Sequence, residues 1–241
     1  AAYQDGLGGV IDLTTRDPKT ERGGMFDISL IDAGVLLEGE VKPGQRGYLS
    51  ARMSYYDLLL EDFIEDDEED DVSIVQLPKY FDYRSKYVFD LPAQRTLRVF
   101  LDGASDEVSF VVKDTADAAY QDPVLVGDYN IDQNYHRHGV LDSGASYTVG
   151  LSHRLAENNI RAADAGDTLL DIDTTTLKGE YRLAERGPHH WRLGAELNRI
   201  AAAYDVSYRD PGCTEFEVDC RISDAEKLFS NNTLTVSQLK M

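Results

Sequence analysis

From Phe81 to Leu91 the residues Phe81, Tyr83, Ser85, Tyr87, Phe89 and Leu91 fall on one side of an alternation, against Asp82, Arg84, Lys86 and Asp90 on the other. A two-residue period places successive side chains on opposite faces of an extended chain, whereas a helix would scatter these aromatics around its circumference. The same period returns in Phe26, Ile28 and Leu30, and in Leu49, Ala51, Met53 and Tyr55. It returns again in Leu97, Val99 and Leu101, in Tyr147, Val149 and Leu151, and in Trp191, Leu193, Ala195 and Leu197. Between these runs stand turn signals: Lys42-Pro43-Gly44-Gln45, Pro92-Ala93-Gln94-Arg95, Asp142-Ser143-Gly144-Ala145 and Gly187-Pro188. The pattern predicts an all-β, antiparallel chain of about ten strands.

Period alone does not separate a half-buried soluble sheet from the wall of a membrane barrel. Three features favour the barrel. Aromatics gather at strand ends (Tyr55 and Tyr56, Tyr80 to Tyr83, Tyr204 and Tyr208), as in the girdles at membrane interfaces. Tight turns alternate with polar stretches read as long loops: 61–71, 113–132, 156–167 and 209–232. The polar faces hold both charge signs, which suits a wide aqueous lumen. No run of about 18 apolar residues offers a transmembrane helix, so a membrane would be crossed by strands. Beyond Asn198 the apolar set shifts to Ile200, Ala202, Tyr204, Val206 and Tyr208, which predicts a β-bulge at Asn198-Arg199.

The formal charge of −20 argues against a nucleic-acid partner, since phosphate binding needs a basic face. The two cysteines, Cys213 and Cys220, lie seven positions apart in a polar stretch. In an oxidising compartment this spacing closes a small disulfide loop, and in a cytosol the pair would be idle thiols; the disulfide is the favoured reading. A zinc site would need two further ligands nearby, where the flanking residues offer only acids.

The opening stretch Gly6-Leu7-Gly8-Gly9-Val10-Ile11-Asp12-Leu13-Thr14-Thr15-Arg16 is a glycine cluster feeding a short alternating segment. It resembles the last plug strand of TonB-dependent outer-membrane receptors, G-x-G-G-V-I-(D/N)-(L/I)-x-T-(K/R). Three further stretches resemble early barrel strands of that family in order and spacing: Ser50 to Asp57, Pro78 to Lys86, and Phe100 to Asp106. Met53 stands where the family often has a second arginine. The resemblance implies a plug within a barrel of about 22 strands in the bacterial outer membrane. Residues 1–18 would then be the end of the plug and its linker, and 19–241 the N-terminal part of the barrel. Gly8, Gly9 and Arg16 would form the plug–barrel junction. The resemblance also implies that the sequence is a fragment or is completed by a second chain, with TonB engaged through a region upstream.

Candidate sites are few. The acids Glu65, Asp66, Asp67, Glu68, Glu69, Asp70 and Asp71 offer oxygen ligands for Ca²⁺ in an outer loop, but the run has no glycine or asparagine to turn the chain around a cation. A solvated acidic loop facing a basic partner is the simpler reading. Asp128-Tyr129-Asn130-Ile131-Asp132 alternates oxygen ligands like part of a calcium loop, without its glycine or distal glutamate. Among the five histidines, His136 and His138 share a strand face and can hold a metal if a neighbouring strand supplies a third ligand; a polar wall is the simpler reading. His189-His190 sits in a turn. No hydrolase elbow, H-E-x-x-H or phosphate loop is present, so no enzyme, and no cofactor beyond possible loop Ca²⁺, is expected.

Three functions fit these observations. The first, implied by the resemblance, is a receptor and transporter for a scarce nutrient such as a metal chelate, cofactor or glycan. The second is a receptor-like barrel serving as a structural or docking component among outer-membrane or surface proteins. The third is a secreted β-sandwich that binds Ca²⁺ or carbohydrate.

Overall fold

The computed structural model describes residues 14–55, 72–113, 125–184, 191–210 and 226–240. They form one antiparallel sheet of ten strands, each beside its sequence neighbour. The strands are β1 (Gly23–Ile28), β2 (Asp32–Lys42), β3 (Gln45–Ser54), β4 (Val72–Leu91) and β5 (Arg95–Val112), followed by β6 (Gly127–Ser143), β7 (Tyr147–Ala162), β8 (Gly166–Arg182), β9 (Arg192–Arg209) and β10 (Lys227–Lys240). The sheet is not closed: β1 and β10 are its two edges. It is a single layer rather than the two packed sheets of a sandwich. Among the described residues the only buried large hydrophobics are Tyr48 and Val88.

Register fixes which residues share a face. The front carries one row of aliphatic partners, Val99, Val140, Leu151, Leu177, Leu197 and Leu239, each opposite the next across five strand pairs. All are exposed; Leu151 is 48% and Leu239 60% accessible. This apolar band crosses the sheet diagonally. In β3 and β4 it reaches Met53 and its partner Phe81, six residues beyond Tyr87, which stands in the Val99 row. In β7 to β9 it runs the other way, to Tyr147, Tyr181 and Leu193, four residues below Leu197. The back holds the charges: Glu38, Tyr48, Lys86 and Phe100 form one row, and Arg84, Asp102, Arg137 and Arg154 the next.

The faces exchange character along the longer strands. Past the band, the front turns polar with His136, His138, His153, Asp171 and Asp173. There the back becomes apolar, through the partners Ala104, Tyr135, Ala156, Ile172, Ala202 and Leu234. This exchange corrects the expected bulge at Asn198-Arg199. β9 keeps unbroken register with β8 and β10 through those residues, and the apolar set changes face because the environment does. Register shifts fall instead between Glu40 and Lys42, and within β4 between Ser73 and Lys79.

Several loops read from polarity are strand. Residues 156–167 belong to β7, a turn at 163–165 and β8, so long and short connections do not strictly alternate. Asp128 to Asp132 lie in β6, where extended backbone points Asp128, Asn130 and Asp132 along one face and cannot wrap a cation. β10 begins at Lys227, so 227–232 are strand rather than loop. In each case the signal was weak because the front of these extensions is itself polar.

Candidate functional site

Two constellations stand out, one on each face. On the back, residues 14–19 lie against β2, β4 and β5. Arg16 donates to Glu38 from Nη1 and Nη2, at 2.6 and 2.9 Å, and sits over the Tyr48 ring at 5.8 Å. The Lys19 backbone amide donates to the same Glu38 carboxylate at 3.1 Å. Lys86 Nζ donates to the carbonyls of Thr15 and Arg16 at 2.7 and 3.0 Å, and lies 3.5 Å from Asp17. Arg98 completes the set by donating to Asp17 through Nε and Nη2.

The Lys86 side chain is only 8% accessible. A lysine so enclosed needs acceptors around its ammonium, and the segment supplies two carbonyls and a carboxylate. Asp17 is held below the usual carboxylate range chiefly because Arg98 donates to it, with Lys86 adding attraction against the cost of burial. The segment is thus fastened to the sheet by charge and hydrogen bonds, with Pro18 buried beside them. Beside it a cavity of about 460 Å³ is lined by Asp17, Arg84, Lys86, Arg98, Phe100 and Arg137, among others. Arg137 is tied to the buried Asp102 at 2.9 Å and lies over Phe100 at 5.3 Å. Mixed charge beside an aromatic suits reversible binding of a polar solute.

On the front, beyond the apolar band, runs a row of imidazoles. Tyr83 Oη is 2.6 Å from His136 Nδ1, crossing Gly103 between them. His136 Nε2 is 3.3 Å from His138 Nδ1, the His138 and His153 rings are 5.3 Å apart, and His153 Nε2 is 2.9 Å from Asp173 Oδ1. Five residues in a line therefore link β4, β6, β7 and β8. Among the described residues no three His, Cys, Asp or Glu side chains already converge on one point as a metal site.

The structure brings Arg16 to the back-face anchor, whereas its proposed junction partners Gly8 and Gly9 lie outside the described residues, as do Cys213, Cys220, Glu65 to Asp71, His189 and His190. His136 and His138 share a face, as the alternation predicted. Sequence reading missed Asp17, Lys86 and Arg98 as a unit, and missed His153 as the neighbour of His138. The latter was recoverable: once a turn is placed between Ser143 and Thr148, counting five residues back along each strand pairs His138 with His153.

Comparison of the chain with protein-family models, with curated proteins and with solved structures finds no match. Fold and sites together define an all-β protein built as an antiparallel meander, apolar along a diagonal on one face and charged behind it.

Proposed function

We propose that this chain is wall and plug-end of a TonB-dependent receptor-type barrel in the bacterial outer membrane, serving uptake of a scarce nutrient such as a metal chelate, cofactor or glycan. The observation that carries the reading is the diagonal apolar band. Barrel strands tilt by roughly 35–45° from the axis, so a belt level with the membrane must slip steadily in register from strand to strand. The band from Met53 and Phe81 to Tyr181 and Leu193 slips in that way. In this reading the front faces lipid, and the polar extensions beyond the band stand clear of it. The back faces a lumen, where residues 14–19 are the end of a plug anchored through Asp17, Lys86 and Arg98. A nutrient would be gripped there by side chains such as Arg84 and Arg137, without covalent chemistry. Open edges at β1 and β10 cannot face lipid without loss of their backbone hydrogen bonds, so further strands, from this chain or a second one, would complete the wall.

The docking-component reading keeps the same barrel and replaces uptake by assembly with other surface proteins. The decisive experiment for both is solution behaviour. The purified chain should require detergent and should insert into lipid vesicles with its front-face residues accessible to a lipid-borne quencher. A monodisperse chain in plain buffer would end the barrel reading. Uptake is then separated from docking by loss of nutrient-dependent growth on deletion.

A further inference from the structure

We propose that His136, His138 and His153 bind one divalent transition-metal ion of the zinc and copper(II) class on the exposed front of the sheet, just beyond the apolar band. Imidazole nitrogens suit these metals. Zinc–nitrogen bonds of about 2.0–2.1 Å in a tetrahedron place two ligand nitrogens roughly 3.3 Å apart. His136 Nε2 and His138 Nδ1 already stand 3.3 Å apart. The His153 ring stands edge-on to His138 with its centre 5.3 Å away, and metal binding requires its Nδ1 to come to the same point while Nε2 stays on Asp173.

The second observation is what holds the outer nitrogens. A metal-ligating histidine usually donates its other ring N–H to an oxygen, which fixes the tautomer and aims the lone pair at the metal. Both ends of this row have that partner: Tyr83 Oη at 2.6 Å from His136 Nδ1, and Asp173 Oδ1 at 2.9 Å from His153 Nε2. In the tautomers with Nδ1–H on His136 and Nε2–H on His153, the nitrogens left with lone pairs are His136 Nε2 and His153 Nδ1. The fourth position lies open to solvent or to a ligand, since His138 is exposed. The site does not depend on the membrane reading, as it uses only strand register and these five side chains.

The test is titration of the purified full chain with Zn²⁺ by calorimetry, and with Cu²⁺ by electron paramagnetic resonance. One tight ion per chain is expected, with nitrogen hyperfine structure from histidine in the copper spectrum. His138→Ala should reduce that structure and weaken zinc at least tenfold. Asp173→Asn, which leaves every ligand in place, should weaken it by about tenfold through lost orientation. His189→Ala and His190→Ala should leave the affinity unchanged. If no saturable binding is found in the wild-type chain, or if binding survives in the His136→Ala/His138→Ala double variant, the row is a hydrogen-bond chain and the proposal falls. Sheet content by circular dichroism separates loss of the site from loss of the fold.

Discussion

Asp17 and Arg98 stand 81 positions apart in the sequence, yet the Asp17 carboxylate accepts from Arg98 Nε and Nη2 at 3.0 and 2.8 Å. With Lys86 beside them, they fasten the segment before β1 to the back of β4 and β5. Replacing Asp17 by alanine leaves Lys86 and Arg98 without their shared counter-charge. The cost of leaving such partly buried donors unmatched is about 1–3 kcal/mol, confined to the segment. Trypsin should therefore cut after Lys19 roughly tenfold faster or more in Asp17→Ala, with sheet unfolding little changed. Equal cleavage rates in variant and wild type would remove the anchor from this account.

The same carboxylate sets a pH limit. Because Arg98 holds the Asp17 acid below its ordinary range, the folded form binds its proton less readily than the unfolded form. The stabilisation is thus complete above the unfolded value of about 3.9 and disappears as pH falls through the lower folded value. A spin label at Thr14→Cys should be immobile at neutral pH and become mobile only in acid below about pH 4. In an Asp17→Asn background its mobility should be the same across that range.

The strand pattern was legible because the front alternates cleanly wherever it is apolar: Phe81 to Leu91 and Trp191 to Leu197 needed no structure to be read. Beyond the band the two faces exchange character, and there the reading failed. Ala156, Ile160 and Ala162 lie on the back of β7 and Glu157, Asn159 and Arg161 on its front, but Asn158 interrupts the back row and, with Glu157 and Asn159, gave the stretch the composition of a loop. The apparent phase slip at Asn198 has the same origin. The anchor was out of reach for a different reason. The tight β4–β5 turn brings Lys86 and Arg98 near one another, but Asp17 reaches them only because the segment before β1 folds back over the sheet, which no turn signal fixes. Arg16 was singled out by resemblance, whereas nothing local marks Asp17 as the partner of a lysine 69 positions on.

Gly103 is the crossing point for the Tyr83 phenol. A Cβ there would stand 2.5 Å from Tyr83 Oη and 2.7 Å from the Tyr135 carbonyl oxygen. Gly103→Ala should cost about 1–3 kcal/mol through overpacking, because the carbonyl belongs to the paired strand and cannot withdraw. Phenylalanine at 83 would still hold Cζ at 2.6 Å, so it is Tyr83→Ala that removes this clash, and Gly103→Ala should cost less in that background than in the wild type. Urea unfolding of the single and double variants measures both. If Gly103→Ala costs as much in the Tyr83→Ala background as in the wild type, Tyr83 does not cross at this point.

The β4–β5 turn holds Ala93 at φ 61° and Gln94 at φ 57°, a left-handed pair without a glycine. Side chains there meet the following carbonyl, at a cost of roughly 1–2 kcal/mol per residue. Gln94→Gly should raise stability by about 1 kcal/mol, offset in part by the greater freedom of the unfolded chain. Gly44, at φ 72° in the β2–β3 turn, should respond in the opposite sense, with Gly44→Ala destabilising by a similar amount. Paired thermal unfolding curves check both signs at once.

Leu177 gives the sharpest test of what the front face meets. It is 46% exposed within an aliphatic row and pairs with Leu151 and Leu197. At an exposed site in water, Leu177→Arg would change stability by no more than about 0.5 kcal/mol. At the middle of a bilayer the same change on a barrel's lipid face costs about 2–4 kcal/mol. Asp171 lies on the same face of β8, six residues along, or roughly 20 Å at strand rise, and beyond the band. Asp171→Arg should then be nearly neutral in vesicles, while Leu177→Arg folds into them poorly. Because both arginines sit on one strand and one face, the contrast isolates depth in the membrane from any general cost of added charge. Equal stability of the two variants in lipid would mean that the diagonal band faces something other than a bilayer.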